Sequence, residues 1–256
     1  MTRLAALILA GTRAGGDPLA ASLGLPHKSL IELEGQTLLS RVVHAVRLAG
    51  IERIFVSCDD ERVSMTASEL GVRTIGTGAG PSTSVSKGFE IAGAPLLVTT
   101  SDHGLLRPDW ILELIDNTTP GSDLSVMLAE KTVVESAVPA TKRTYLRFSD
   151  GSWSGCNLFY LATDRAKRAI DTWALVEAHR KQPWKIAARL GPMTLLAMAM
   201  RRLTLADGLS RLGSRIGVKA QLVPASSGLA AVDIDKASDL DLARRLLSAP
   251  RYDEPD

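Results

Sequence analysis

The chain has 256 residues, of which 45% are hydrophobic and 23% are charged, and its formal net charge is +2. This length allows one sizeable core, and the composition is typical of a globular protein rather than a disordered one. Aromatic residues make up only 4%, which together with the small net charge argues against a nucleic-acid partner.

The cysteines and the hydropathy of the chain further narrow the possible classes of protein. Cys58 and Cys156 stand far apart without a CxxC or histidine partner, which argues against a disulfide framework or a zinc site. No run reaches the roughly 18 apolar residues of a membrane span. We therefore expect a cytoplasmic protein without a transmembrane segment.

Short apolar runs alternate with amphipathic stretches through the first half. The runs are rich in branched residues and predict buried strands at 4–9, 51–57, 72–75 and 95–100. Helical spacing of apolar residues predicts helices at 37–48, 61–70, 83–91 and 108–117. The alternation predicts βαβ units and an α/β, Rossmann-like fold with a mostly parallel sheet.

The second half is less regular. After a strand at 123–128, the mixed composition of 130–155 predicts antiparallel edge strands and turns, with a hairpin turn at 149–152. The remaining predicted elements, in chain order, are a strand at 157–161, helices at 164–181, 183–202 and 205–216, strands at 218–223 and 231–234, and a helix at 238–247.

The first strand leads directly into a loop that contains Gly11, Gly15 and Gly16. Small residues at the carboxyl end of a parallel strand let backbone N–H groups face a ligand. The spacing matches neither GxGxxG nor GxxxxGK[ST], which excludes the dinucleotide-binding and P-loop motifs. Arg13 within the loop and Lys28 beyond it favour a phosphate ligand over a merely flexible loop.

Four later residues carry polar side chains that could bind a ligand or a metal. Ser84 near a predicted helix start either donates to a ligand or caps the helix. Asp102 follows a buried strand, so it stands at the same sheet edge as the glycine loop or forms an Asx-type turn. Asp233 and Asp235 lie two residues apart on a predicted strand and would point to the same face.

These segments resemble the MobA-like and sugar-nucleotide nucleotidyltransferases, whose opening is roughly LAGGxxxR…PKxLxxLxGxPLL. Segments 9–13, 26–30 and 33–39 match that opening, 78–89 matches G-x-x-x-S-V/L-x-x-G, and 231–240 is similar to a closing DIDTPEDL motif. The resemblance implies a GT-A-like fold and one NTP-transferase domain over 1–256. Its nucleotide-binding half would span about 1–128, an acceptor-side half with a C-terminal helical insert about 129–230, and a closing strand and helix 231–248.

The resemblance also assigns roles by position. The nucleotide-binding residues it implies are Ala10, Gly11, Thr12, Arg13, Lys28, Gly80 and Ser84. Asp102 and Asp235 would hold Mg²⁺, with Asp233 as the alternative to Asp235. Asn157 would contact the acceptor, or else is a turn residue. Two departures from the family pattern are Thr12 in place of a glycine and His27 between proline and lysine.

The implied reaction joins an NMP from CTP or GTP to a phosphorylated acceptor and releases pyrophosphate, with Lys28, Arg13 and Asp102 as catalytic residues. One alternative is a GT-A-type glycosyltransferase, although Asp102 stands here without the acidic DxD of that class. The other is a non-catalytic nucleotide-binding protein. The apolar segment 184–202 with basic flanks is a buried or homodimer helix, or a peripheral membrane contact.

Overall fold

In a computed structural model, residues 3–12, 15–139, 143–179, 191, 193, 196, 197 and 200–248 are described. Arg13 and most of the predicted helix 183–202 lie outside the described residues. None of the described helices has both the length and the apolar character needed to cross a bilayer.

The described residues form ten strands and nine α-helices. The strands are β1 (Ala5–Ala10), β2 (Glu32–Leu33), β3 (Gln36–Thr37), β4 (Arg53–Cys58), β5 (Arg73–Gly76), β6 (Leu96–Thr100), β7 (Leu124–Glu130), β8 (Leu146–Phe148), β9 (Gly151–Leu161) and β10 (Ala220–Pro224). The helices are α1 (Pro18–Ser22), α2 (Leu38–Leu48), α3 (Glu61–Glu69), α4 (Pro81–Ala92), α5 (Pro108–Asp116), α6 (Lys131–Ala137), α7 (Lys167–Ala178), α8 (Leu205–Arg215) and α9 (Ala237–Ser248).

The main sheet has the strand order β10-β7-β9-β6-β1-β4-β5, with β8 paired to β9. β6, β1, β4 and β5 run parallel, whereas β9 runs antiparallel to both β6 and β7. The predicted α/β class with a mostly parallel sheet is therefore confirmed. The predicted first-half strands and helices are found within one or two residues of their expected limits.

The core has two layers, one on each face of the sheet. Along β1, Ala6 and Ile8 pack in a cluster with residues of α2 and α5, whereas Ala5 and Leu7 pack in a cluster with residues of α4 and α7. Successive strand residues point to opposite faces, so a central strand covered on both sides must be apolar throughout. This is why residues 5–10 form one continuous hydrophobic run.

The prediction of edge strands throughout 130–155 is partly wrong, because residues 131–137 form the helix α6. Val134 is fully buried there, while Lys131 pairs with Glu135 one turn later at 3.4 Å. Packing of one apolar position and this ion pair override the strand propensity of the branched residues. The predicted hairpin turn is confirmed, since Phe148 pairs with Gly151 across it.

The predicted strand 231–234 is also wrong. Gly228–Ala231 forms a 3-10 turn, and the chain then runs extended across the end of the sheet. The Val232 N–H donates to Leu229 and the Ile234 N–H donates to the carbonyl of Asp102. These two N–H groups bond to a turn and to a neighbouring loop. The segment therefore acquires its alternating burial without hydrogen bonds to an adjacent strand.

We predict that Gly228→Ala lowers the free energy of unfolding by about 2 kcal/mol, because overpacking a closed contact strains the backbone. A Cβ at this position would collide with backbone atoms of Val133 and Val134 in α6. Gly76→Ala is the control, since a Cβ there meets no atom within 4 Å. Chemical denaturation of both variants tests this, and equal stability of the two would contradict it.

Candidate active site

Of the predicted site residues that the structure describes, Gly11, Thr12, Lys28, Gly80, Ser84 and Asp102 gather where β1, β4, β5 and β6 end. A cavity of about 690 Å³ opens at this edge of the sheet. Its lining includes Gly11, Asp59, Gly78 and Asp102, each from the loop that follows one of these strands, together with Lys28. Open parallel sheets bind ligands at this edge because the strand ends leave a crevice between diverging loops.

The Lys28 ammonium lies between carboxylates from the middle and the end of the chain. Its Nζ is 2.5 Å from Asp102 Oδ2, 2.7 Å from Asp235 Oδ1 and 3.9 Å from Asp17 Oδ2. Burial alone lowers the pKa of Lys28, but the charge and hydrogen bonds of Asp102 and Asp235 outweigh it and raise the pKa above its usual value. Lys28 therefore carries a full positive charge at neutral pH.

Local hydrogen bonds fix the position of Lys28. The residue begins a 3-10 turn, and the imidazole Nδ1 of His27 accepts the Ser29 N–H at 3.0 Å. The hydroxyls of Ser29 and Ser101 lie 2.6 Å apart, which ties this turn to the loop that carries Asp102. His27, which interrupts the expected proline–lysine pair, is thus the cap of the turn that presents the lysine.

Three carboxylates converge beside this ammonium. Asp102, Asp233 and Asp235 can each offer one oxygen, and these oxygens lie within 4.8 Å of one another. Asp102 Oδ1 is buried without a hydrogen-bond partner among the described residues. A buried anionic oxygen without a donor is costly, and clustered carboxylate oxygens are the ligands that Mg²⁺ prefers, so this chemistry fits a divalent ion.

Asp233 differs from its neighbours because two side chains hold it. The guanidinium of Arg143 pairs with Asp233 Oδ1, and the amide of Asn157 donates to Asp233 Oδ2 at 3.2 Å. Burial raises the pKa of Asp233, the charges of Asp235 and Asp102 raise it further, and Arg143 opposes them. Arg143 also lies 3.6 Å from Asp239.

Asn157 lies within β9 rather than in a hairpin turn. The register between β7 and β9 shifts between Val126 and Leu128, and Asn157 adopts a φ of 51° in the irregular stretch opposite. Asparagine tolerates this left-handed conformation better than most residues. The irregularity aims its amide at Asp233, an arrangement typical of bulges that redirect a side chain.

His103 follows Asp102 but is not available for acid–base chemistry. It is almost fully buried and stacks on Trp110 with ring centroids 5.9 Å apart. Burial, the dominant cause, lowers the pKa of His103 to about 4. The imidazole is therefore neutral at physiological pH.

The glycine loop is anchored to its neighbour. The backbone N–H and the hydroxyl of Thr12 both donate to Asp59 Oδ1 at 3.0 Å. A Cβ on Gly11 would lie 3.1 Å from Thr77 Cγ2, so little space exists there for a side chain. The threonine that replaces the family glycine thus ties the loop after β1 to the loop after β4.

Ser84 holds the loop between β5 and α4. α4 begins at Pro81 with Gly80 as its N-cap, and the Ser84 hydroxyl accepts the Gly78 N–H at 2.9 Å. Ser84 is thus not the N-cap residue, and its hydroxyl hydrogen remains available to a ligand. Gly80 and Ser84 both line the cavity.

Several polar residues at the site were missed by sequence reasoning: Asp17, Asp59, Arg143 and Glu177. Asp17 and Asp59 follow the ends of predicted strands, and that position was a usable signal. Arg143 and Glu177 lie outside the segments that resemble the family, and only the tertiary fold brings them to the site.

We predict that Arg143→Met lowers the free energy of unfolding by about 3 kcal/mol, because it leaves the half-buried Asp233 and Asp239 without their cation. Arg107→Met is the matched control. Its pair with Asp109 is exposed, with 64% and 61% of the two side chains accessible, so about 1 kcal/mol or less is expected. Denaturant unfolding at neutral pH measures both. Similar losses would show that Arg143 is not needed to neutralise these carboxylates.

Comparison with known proteins identifies the relatives of this chain. The family model of the MobA-like NTP transferase domain matches residues 6–147. The chain is 29% identical to a 3-deoxy-manno-octulosonate cytidylyltransferase from Tolumonas auensis, over 42% of this chain and 46% of that protein. It thus spans about half the length of this curated relative.

Solved structures share the fold over nearly the whole length. A hypothetical transferase from Thermus thermophilus is 26% identical, with a TM-score of 0.78 over 94% of this chain and 100% of the other. A CMP:2-keto-3-deoxy-manno-octonic acid synthetase complexed with CTP is 15% identical, with a TM-score of 0.59 over 96% and 98%. The likeness to the second shows the fold alone, which is the GT-A-like nucleotidyltransferase fold. With its family match covering more than half of its length, the chain belongs to the MobA-like NTP transferase family of nucleotidyltransferases.

Proposed function

We propose that this protein transfers an NMP from CTP or GTP to a phosphorylated small-molecule acceptor and releases pyrophosphate, with the help of Mg²⁺. The observation that carries the proposal is the ammonium of Lys28 lying between Asp102 and Asp235 beside a cavity at the end of the sheet. The cytidylyltransferase relative supports CTP as the first nucleotide to test. The family match favours nucleotidyl transfer over glycosyl transfer and over a non-catalytic role.

The charge balance of the site supports a metal ion. Among the described residues, five carboxylates lie within 4 Å of the two cations Lys28 and Arg143: Asp17, Asp102, Asp233, Asp235 and Asp239. A triphosphate would be repelled by this excess of negative charge. A divalent cation on the carboxylates would remove the repulsion, which is how Mg²⁺ sites usually combine one or two carboxylates with substrate phosphates.

Asp102 and Asp235 are the residues that would hold the ion. Asp102 offers its unpartnered buried oxygen, and Asp235 lies next to it. Asp233 is the alternative to Asp235, and its two oxygens are engaged by Arg143 and Asn157. When bound, Mg²⁺ supplies charge neutralisation for phosphate oxygens.

The transfer needs no protein base. The acceptor phosphate is already anionic, so its oxygen can attack the α-phosphorus while the bond to the bridging oxygen of the β-phosphate breaks and pyrophosphate leaves. His103 is buried and neutral, in agreement with such a reaction. The chain would therefore act by positioning and by opposing negative charge.

Lys28 would exchange partners during this reaction. In the free protein its ammonium pairs with carboxylates, and on nucleotide binding it would donate to a phosphate oxygen instead. Both interactions are charge-assisted hydrogen bonds of similar strength, so the exchange has a small net cost. Arg13 in the preceding loop would add a second cation, and the N–H of Gly11 would face the phosphates, while the N–H of Thr12 stays bonded to Asp59.

We predict that Lys28→Ala slows pyrophosphate release at least about 10²-fold, because one preorganised charge that opposes the leaving group is lost. Lys131→Ala is the control, since Lys131 lies on α6 and pairs with the exposed Glu135. The assay follows pyrophosphate with CTP and GTP and a panel of phosphorylated sugars, polyols and cofactors. Normal turnover by Lys28→Ala, with folding intact, would contradict the proposal.

We predict opposite effects of two variants on Mg²⁺ affinity measured by calorimetry without nucleotide. Asp102→Asn weakens binding at least about 10-fold, because a charged oxygen ligand is lost. Lys28→Met tightens binding several-fold, because the competing ammonium is removed from Asp102 and Asp235. Asp109→Asn, altered in an exposed ion pair, is the control. A Lys28→Met variant that binds Mg²⁺ more weakly would count against a shared carboxylate site.

A further inference from the structure

Glu177 of α7 reaches across to the first turn of α4. Its Oε2 accepts the backbone N–H of Ser82 at 3.1 Å and also the hydroxyl of Ser82. Glu177 is half-buried and lines the same cavity as Lys28 and Asp102. This carboxylate belongs to none of the motifs that led to the proposed function.

The loop is shaped around this carboxylate. Gly80, the N-cap of α4, has no side chain to accept the N–H groups of the first helical turn, and Glu177 supplies an acceptor instead. A Cβ on residue 80 would collide with Glu177 Oε1. The observed position of the Glu177 carboxylate therefore depends on the glycine at residue 80.

α7 is firmly attached to its surroundings, so the position of Glu177 is set by the fold. Lys167 at the start of α7 donates to Ser86 of α4 and to Asp171, each at 2.8 Å. Trp173 stacks on Phe159 of β9 with centroids 6.3 Å apart. These contacts hold the helix against both α4 and the sheet.

The two oxygens of Glu177 have different environments. Oε2 accepts hydrogen bonds from Ser82, whereas no group among the described residues donates to Oε1. An ionised carboxylate oxygen only accepts hydrogen bonds, so what meets Oε1 from the cavity must carry an N–H or O–H group. Gly80 and Ser84, which the resemblance implies bind the nucleotide, line the same cavity and flank Ser82 at the start of α4.

We propose that Glu177 is a specificity-determining residue that accepts a hydrogen bond from the amino group of the nucleotide base. This rests on the proposed function, since it names the base class that the same cavity selects. Cytosine and guanine carry an exocyclic amino group, whereas uracil and hypoxanthine present a carbonyl oxygen or no substituent at the corresponding position. An acceptor facing an acceptor is unfavourable, so Glu177 rejects bases that lack the amino group.

The test compares the wild type with Glu177→Gln, using CTP against UTP and GTP against ITP. Each pair differs in the amino group, and the two pairs distinguish cytosine from guanine. Both the dissociation constant with Mg²⁺ and the rate of pyrophosphate release are measured. Glu90→Gln is the matched control, because it removes a carboxylate of α4 that pairs with Lys167 of α7, away from the loop.

We expect the wild type to bind the amino-bearing nucleotide of one pair at least about 10-fold more tightly than its partner. This factor corresponds to the free energy of one hydrogen bond to a charged group. Glu177→Gln should reduce this ratio at least about 5-fold, either by improving UTP binding, because a glutamine amide can donate to the uracil carbonyl, or by weakening GTP binding, because its amino group loses a charged acceptor. Glu90→Gln should keep the wild-type ratio.

Two outcomes would overturn the inference. If Glu177→Gln weakens the binding of all four nucleotides equally and lowers the melting temperature, Glu177 is only a cap of α4. If it changes the ratio of CTP to 2′-deoxy-CTP but not that of CTP to UTP, the carboxylate contacts the ribose. Base selection through Glu177 without pyrophosphate release would contradict the proposed function and support this inference.

Discussion

The Lys28 ammonium is the point on which the site depends, because it joins three distant parts of the chain. Asp102 and Asp235 approach it to within 2.7 Å from the end of β6 and from the segment before α9. Without the cation these carboxylates would repel each other in a half-buried setting. Once a metal ion occupied the carboxylates, the Lys28 ammonium would be released to bind a phosphate. The ion pairs of the free protein would thus be replaced by contacts to the nucleotide and the metal ion.

The sheet makes this convergence possible. β1 lies between β4 and β6, so the loops that carry Gly11, Asp59 and Asp102 emerge side by side at one edge. The antiparallel β9 then brings Asn157 to Asp233 through an irregular register and a left-handed backbone. Residues held in such a conformation cost about 1–3 kcal/mol and persist only where surrounding contacts require them. Here the requirement is the orientation of a carboxylate beside the proposed metal site.

Sequence periodicity was sufficient for the parallel half of the fold, because β1, β4 and β6 are buried along nearly their whole length and their hydrophobic runs are largely uninterrupted. It failed at α6 and at 231–234, where short segments owe their conformation to packing against each other through Gly228 rather than to local propensity. Motif spacing likewise pointed to Lys28, Asp102 and Asp235, of which only Asp102 follows the end of a strand. Nothing local marks Arg143 or Glu177, since their partners lie 90 and 95 residues away.

Several polar groups of the cavity have a structural partner that a ligand would replace, whereas Asp102 Oδ1 and the hydroxyls of Ser57 and Thr100 have none among the described residues. Lys28 is paired with carboxylates, Ser84 holds Gly78, and Glu177 caps α4 with one oxygen while the other remains available. A site built in this way pays little desolvation cost when it is empty, because its buried groups are mostly satisfied. It also gains little from a ligand that lacks matching groups, because such a ligand would break these bonds without replacing them. Selectivity for an amino-bearing nucleotide with a bound cation would then arise from exchange of partners, not from a preformed empty cradle.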